Sequence, residues 1–269
     1  MTRLEPFAIG PVDVRVEGRV AIVTLGRGDR LNALSVEAMQ ALTGVAARLR
    51  DDTSTSAVVL TGDPVFSAGA DLADPALAAR AAAPLIERRE LLRIGPDLCA
   101  AWEGLDQVTI AAVEGFCLGG ALALAAACDF RIAGRGAHFR LPEIPLGMNM
   151  SWRAQPRLVS LIGPARAKQL VIFGERVEAP EALSWGLIEE VTADGAAVEA
   201  AMVMAGKAAA LPPIAVRMAK RALTQIATAL VPLSAYMDGD QYALAALSED
   251  HREAVAAFFD KRPPRFTGA

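Results

Sequence analysis

The chain has 269 residues, of which 53% are apolar, so it can bury a substantial core. Its formal charge of −4 offers no basic stripe to a nucleic-acid backbone, and no run of like charge marks an interaction tail, which argues against a nucleic-acid partner. Its three cysteines, at 99, 117 and 128, form no metal-ligand pair, and no charged-then-apolar leader precedes Val12; a reducing, cytoplasmic compartment follows, with the thiols as small core residues.

In chain order, two β-like runs, Val12–Val16 and Val20–Leu25, flank Glu17-Gly18-Arg19 and predict a hairpin. Ser35 can cap a helix running to about Asp51, since Met39, Leu42, Val45, Ala46 and Leu49 recur on one face, and Ala57–Leu60 then reads as a buried strand. A helix within Ala78–Glu103 leads to a strand at Val108–Val113. The stretch Val108–Cys128 carries one charge, Glu114, and is long enough to span a bilayer. Its β-leaning start, the interruptions at Gly115 and Gly119-Gly120, and the helix-forming Leu122–Ala127 predict instead a buried strand, a turn and a buried helix. Short strands follow at Phe130–Ala133 and Ile188–Val191, and Ala-rich helical segments run from about Gly195 to Phe259. Residues 1–194 therefore read as a strand–helix core and residues 195–269 as a helical region. There Leu244, Leu247, Val255, Phe258 and Phe259 need cover from the core or from another subunit.

Three segments can carry chemistry. In Phe66-Ser67-Ala68-Gly69-Ala70-Asp71, small residues let a ligand approach backbone N–H groups, although an ordinary glycine turn after a strand has the same composition. Glu114-Gly115-Phe116-Cys117-Leu118-Gly119-Gly120 leads into an apolar helix whose first N–H groups suit an oxygen gaining negative charge; close helix–strand packing explains the glycine pair equally well. It lacks the spacing of a dinucleotide fingerprint and the Lys-Ser/Thr of a P-loop. Glu143 sits in the apolar run Leu141-Pro142-Glu143-Ile144-Pro145, where two prolines predict extended flanks and burial predicts a raised pKa suited to a general base, against the plainer reading of a strand-end ion pair. With two histidines, no metal spacing and no G-x-S-x-G elbow, metal catalysis and a Ser-His-Asp triad are disfavoured, and His138 reads as structural.

Taken together and in this order, these segments closely resemble the enoyl-CoA hydratase/isomerase, or crotonase, superfamily, with further matches at Arg30-Leu31-Asn32-Ala33-Leu34, Ala165-Arg166-Ala167, Ala182–Ile188 and Phe259–Pro263. The resemblance implies an α/β fold, a spiral of β-β-α units with a C-terminal helical trimerisation region, assembled as a homotrimer or a dimer of trimers. It implies an acyl-CoA thioester as substrate, with coenzyme A part of that substrate and no separate cofactor. The thioester carbonyl would accept from the N–H groups of Ala70 and Gly120, with Ala68, Asp71 and Leu72 as further substrate contacts. Arg27, Arg30 and Lys261 would meet the coenzyme A phosphates, Lys261 from a neighbouring subunit. Family hydratases hold water between two glutamates; here Glu143 matches the second, but Ala123 stands at the first, and a methyl group neither accepts a proton nor orients water. That favours double-bond isomerisation by one carboxylate. Hydration with a compensating group, for which Glu90 is a candidate, and a non-catalytic acyl-CoA binder are the alternatives. A second departure, Gly147-Met148-Asn149-Met150-Ser151-Trp152-Arg153, replaces a Gly-rich stretch of the hydratases and predicts an acyl pocket reshaped by Met148, Met150 and Trp152, or else a repacked helix start.

Overall fold

Alternating β-branched residues build the first hairpin of the computed structural model, which describes residues 3–269; residues 1 and 2 of the expected core lie outside it. Strand β1 (Phe7–Ile9) pairs antiparallel with β2 (Val12–Glu17), and β2 with β3 (Val20–Leu25), in a register that sets Glu17 opposite Val20. Ser35 accepts from the N–H of Ala38 at 3.1 Å and so caps α1 (Val36–Asp51), as its hydroxyl predicts. From β3 the sheet becomes parallel: β4 (Ala57–Gly62), β5 (Val108–Val113), β7 (Phe130–Gly134) and β10 (Glu190–Thr192) follow, giving the order β1-β2-β3-β4-β5-β7-β10.

Between these strands the chain visits a second layer. After β4 come α2 (Pro75–Ala82), α3 (Leu85–Leu91) and α4 (Ile94–Glu103); after β5 come β6 (Phe116–Leu118) and α5 (Gly120–Ala126); after β7 come β8 (His138–Arg140) and α6 (Ala154–Lys168). Strand β9 (Val177–Glu178) and α7 (Ala179–Trp185) then precede β10. Strands β6, β8 and β9 form a second sheet, and single bridges extend it, Ser67 to Cys117 and Leu34 to Ala70. Each turn of the spiral thus places one long strand in the first sheet and one short segment in the second before its helix. These short segments carry the candidate residues.

Both faces of the main sheet are covered, which is why β4 and β5 are buried along their whole length and read as unbroken apolar runs. On one face Met39, Leu42 and Leu49 of α1 pack with Leu98 and Trp102 of α4. On the other, Ala197, Ala201 and Ala205 of α8 (Ala197–Ala209) lie against Val20, Val59, Ile110 and Ile132. The first helix of the C-terminal helical region, α8, is thus a layer of the core. The remaining helices are α9 (Pro213–Ala227), α10 (Val231–Ala235), α11 (Asp238–Ala245) and α12 (Glu249–Phe259).

Two expectations need correction. The single helix foreseen within Ala78–Glu103 is three, broken at Pro84 and again after Leu91. The last strand lies at Glu190–Thr192, because Leu187 and Ile188 are buried in the turn that leaves α7. The apolar stretch Val108–Cys128 is strand, short strand and helix, and no single helix among the described residues is long and apolar enough to cross a membrane. All three cysteines are buried and unpaired; desolvation pushes the thiols of Cys99 and Cys128 up to about 12 and raises that of Cys117, as expected of core residues.

Candidate active site

The two glycine-containing segments meet. Ser67 donates its N–H to the carbonyl of Phe116 at 3.1 Å and accepts from the N–H of Leu118 at 3.2 Å, which lays Phe66–Ala70 alongside β6. On its other side the same segment pairs with Leu34, whose N–H donates to Gly69 and whose carbonyl accepts from Asp71. The N–H of Ala70, between those two bonds, has no acceptor among the described residues. Neither has that of Gly120, the first residue of α5, which has no intrahelical partner by position. Gly69 has φ +84°, and a Cβ on it would strike the carbonyl of Leu118 while standing 3.5 Å from the N of Gly120. Two free donors therefore flank one small space, as an oxyanion hole requires.

Glu143 closes that space from β8. The flank before Pro145 is not extended as expected: Ile144 belongs to a single 3₁₀ turn, Ile144–Leu146, in whose first positions a proline costs no hydrogen bond, and Glu143, which starts that turn, is helical at φ −61° and ψ −48°. Its carbonyl accepts from Leu146 and Met148, so the turn fixes the side chain's direction. The residue borders the cavity, yet Oε2 is shut from solvent and has no hydrogen-bond partner among the described residues. Desolvation dominates and pushes the carboxyl up to about 7, with its own backbone and Arg140 pulling weakly the other way. A Cβ at Gly119 would lie 2.6 Å from Oε1, so the glycine before the Gly120 donor makes room for the carboxylate.

The cavity so formed is about 250 Å³. Ala68, Ala70, Gly120 and Glu143 line one end, and Leu72, Met148, Met150 and Trp152 form apolar wall, which places all three predicted pocket residues on the cavity. The segment is also a helix start, since Arg153 stands directly before α6. Ala123 is fully buried and does not border the cavity.

Other expected residues stand elsewhere. Arg27 is committed within the chain: its guanidinium pairs with Asp71 at 3.1 Å and donates to the carbonyl of Ala33. Asp71, nearly buried, is the partner in that brace and caps the N–H of Ala73, so it supports the loop of Ala70 instead of facing a substrate. Arg30 and Lys261 are exposed. Glu90 is exposed on α3 and pairs with Arg93 at 3.4 Å, so it supplies no second carboxylate to the cavity. Sequence reasoning missed the roof. Asp238 accepts from the N–H of Arg153 at 3.0 Å, Gln241 accepts from Asn149 at 2.8 Å, and Tyr242 lines the cavity, all from α11.

A shielded carboxyl beside two unpaired backbone donors, on a spiral of two sheets, can hold a carbonyl oxygen next to a group able to exchange a proton. The family of that description is found directly. The profile of the enoyl-CoA hydratase/isomerase family matches residues 15–269, and the chain belongs to this family. It is 32% identical over 248 residues to a short-chain-enoyl-CoA hydratase of Clostridium acetobutylicum, covering 91% of this chain and 93% of that one. It is 35% identical over 251 residues to a 2,3-dehydroadipyl-CoA hydratase of Escherichia coli, covering 93% and 96%. Among solved structures, an enoyl-CoA hydratase/isomerase from Pseudoalteromonas atlantica superposes with a TM-score of 0.85 at 29% identity, over 96% of this chain and 100% of that one. The crotonase-like fold read from the sequence is thereby established.

Proposed function

We propose that this enzyme moves the double bond of an enoyl-CoA thioester, with Glu143 as its one acid/base and the N–H groups of Ala70 and Gly120 as the oxyanion hole. The Glu143 carboxylate removes a proton from C2 of a 3-enoyl thioester. The C–H electron pair passes into a dienolate whose oxygen accepts from both donors, and the Glu143 carboxylic acid returns the proton at C4, leaving a 2-enoyl thioester. The observation that carries this reading is that Glu143, whose Oε2 is shut from solvent and unpartnered, is the one carboxyl among the described residues that line the cavity. Each hole donor contributes a few kcal/mol, or roughly 10²–10³ in rate. Coenzyme A is held as part of the substrate, its phosphates met by exposed Arg30 and by Lys261 of a neighbouring copy.

Water addition is the second reading, favoured by the names of the relatives, which are hydratases. Solvent exchange and product analysis in D₂O with 3-enoyl and 2-enoyl thioesters decide between them. Isomerisation predicts movement of the double bond with deuterium incorporation and no water adduct, lost in Glu143→Gln. Efficient formation of a 3-hydroxyacyl product overturns it in favour of hydration, and thioester binding with neither product nor exchange leaves a binder. The family resemblance implies a homotrimer or a dimer of trimers, and α9, which leaves Ile214, Met218, Leu223 and Ile226 exposed and buries none of its residues, supports an interface between copies. A cytoplasmic location belongs to the same reading, supported by three unpaired buried thiols.

A further inference from the structure

Trp152 and Arg153 are consecutive residues in the left-handed region, at φ 64° and 57°, where a bulky side chain is an outlier. Such strain persists only where surrounding contacts over-determine it. Here they do. Arg157, itself buried, donates through one nitrogen to the carbonyls of Trp152 at 3.1 Å and Arg153 at 3.0 Å, and is anchored by Glu103 at 2.6 Å. Asp238 takes the N–H of Arg153, and Gln155 takes the carbonyl of Met150 at 3.0 Å.

The turn aims the indole at one place. Its six-membered ring lies against the Cα of Gly120, where a Cβ would fall 2.5 Å from Cη2 and Cζ3, and its five-membered side, Nε1 with Cε2 and Cδ2, lies against Gly95 of α4, where a Cβ would collide outright. The two helices thus present glycine to opposite ends of one indole, which is therefore a fixed wall and not a mobile side chain. The carboxylate of Glu143 occupies the space at Gly119 and the indole the space at Gly120, so a carbonyl held by the Gly120 N–H has its neighbouring carbons between a base and a flat apolar surface. A planar acyl group offers its face to such a wall; a group branched beside the carbonyl meets a ring that cannot retreat.

Building on the acyl-thioester reading, we propose that Trp152 determines acyl specificity, selecting planar conjugated groups, enoyl or aryl, and rejecting those branched at the carbon next to the thioester, with Arg157 as the residue that positions it. The volume suffices for a ring, since a cavity of about 150 Å³ admits benzene. The test separates this from the catalytic reading by using two thioesters that lack a hydrogen on that carbon and so can be neither isomerised nor hydrated: benzoyl-CoA and pivaloyl-CoA. Calorimetric Kd values for wild type are expected to favour benzoyl-CoA at least tenfold. Trp152→Phe keeps that preference, and Trp152→Leu, of similar apolar character without the flat face, brings it within threefold. Arg157→Lys, which loses the grip on two carbonyls, is expected to lower the preference and the tryptophan fluorescence change that benzoyl-CoA produces. Equal preference in wild type and Trp152→Leu, with both ligands bound, overturns this inference alone. Failure of wild type to bind either thioester overturns the acyl-thioester reading and this one with it.

Discussion

Glu143 has its carboxyl at about 7 against an ordinary value of 4.5, so the folded state holds its proton more tightly than the unfolded chain. Stability from this residue is therefore fully present below pH 4.5, is lost as pH rises towards 7, and stays level above. Glu143→Gln removes that loss. Its unfolding free energy in urea is expected to match wild type near pH 4.5 and exceed it by about 3 kcal/mol at pH 8, the equivalent of the shift. An unchanged gap across that range would mean the carboxyl is not desolvated in solution. Under the proposed mechanism the same group governs activity: with Glu143 as the base, kcat/KM is expected to rise through about pH 7 to a plateau in the free enzyme, and a profile flat from about pH 5 to 9 would count against that role. The desolvation of this residue was legible because it sits in the apolar run Leu141-Pro142-Glu143-Ile144-Pro145. Arg27 was not, because a cation after the first hairpin looks the same whether it meets a phosphate or Asp71, and Asp71 lies across a loop.

Among the elements, α4 meets the turn before α6 directly where Gly95 faces Trp152, and that contact predicts a change of sign. Gly95→Ala in wild type drives a Cβ into the ring of Trp152 and is expected to destabilise by about 1–3 kcal/mol through overpacking. In a Trp152→Ala background the obstruction is gone, and the same substitution should stabilise by about 0.5–1 kcal/mol, because alanine restricts the unfolded chain. Denaturant midpoints of the four proteins measure this cycle, and additive effects would rule the contact out. Elements of this kind divide sharply in legibility. The six-residue strands β2, β3, β4 and β5 show their burial in composition alone. Strands β6, β8 and β9 have three residues or fewer, too short for any period, and are set by backbone pairing to neighbours far along the chain. The Trp152–Arg153 turn is invisible for a further reason: of what holds it, Glu103 lies 54 residues before the Arg157 it anchors, and Asp238 lies 85 residues after Arg153.

For the whole molecule, the apolar surface of α9 sets an expectation about assembly. Ile214 and Ile226 are each about three-quarters exposed. Replacing both by Asp is expected to shift sedimentation from trimer or hexamer towards monomer without altering the fold, since neither contributes to the core. A wild-type monomer would refute the assembly. The helical region was legible as a region, yet its partition was not, because alanine-rich helices read alike whether they cover a sheet, as α8 does, or roof a cavity, as α11 does. That roof makes the protein less modular than its chain order suggests. Grafting another family member's final seventy-odd residues onto residues 1–194 would leave every catalytic atom in place. It would nevertheless remove the carboxylate of Asp238 and the amide of Gln241 that close the approach to α6. Such a chimera is expected to keep Ala70, Gly120 and Glu143 in place yet to differ from the parent in its relative affinity for acyl thioesters, because the tail is part of the lock as well as a face for assembly.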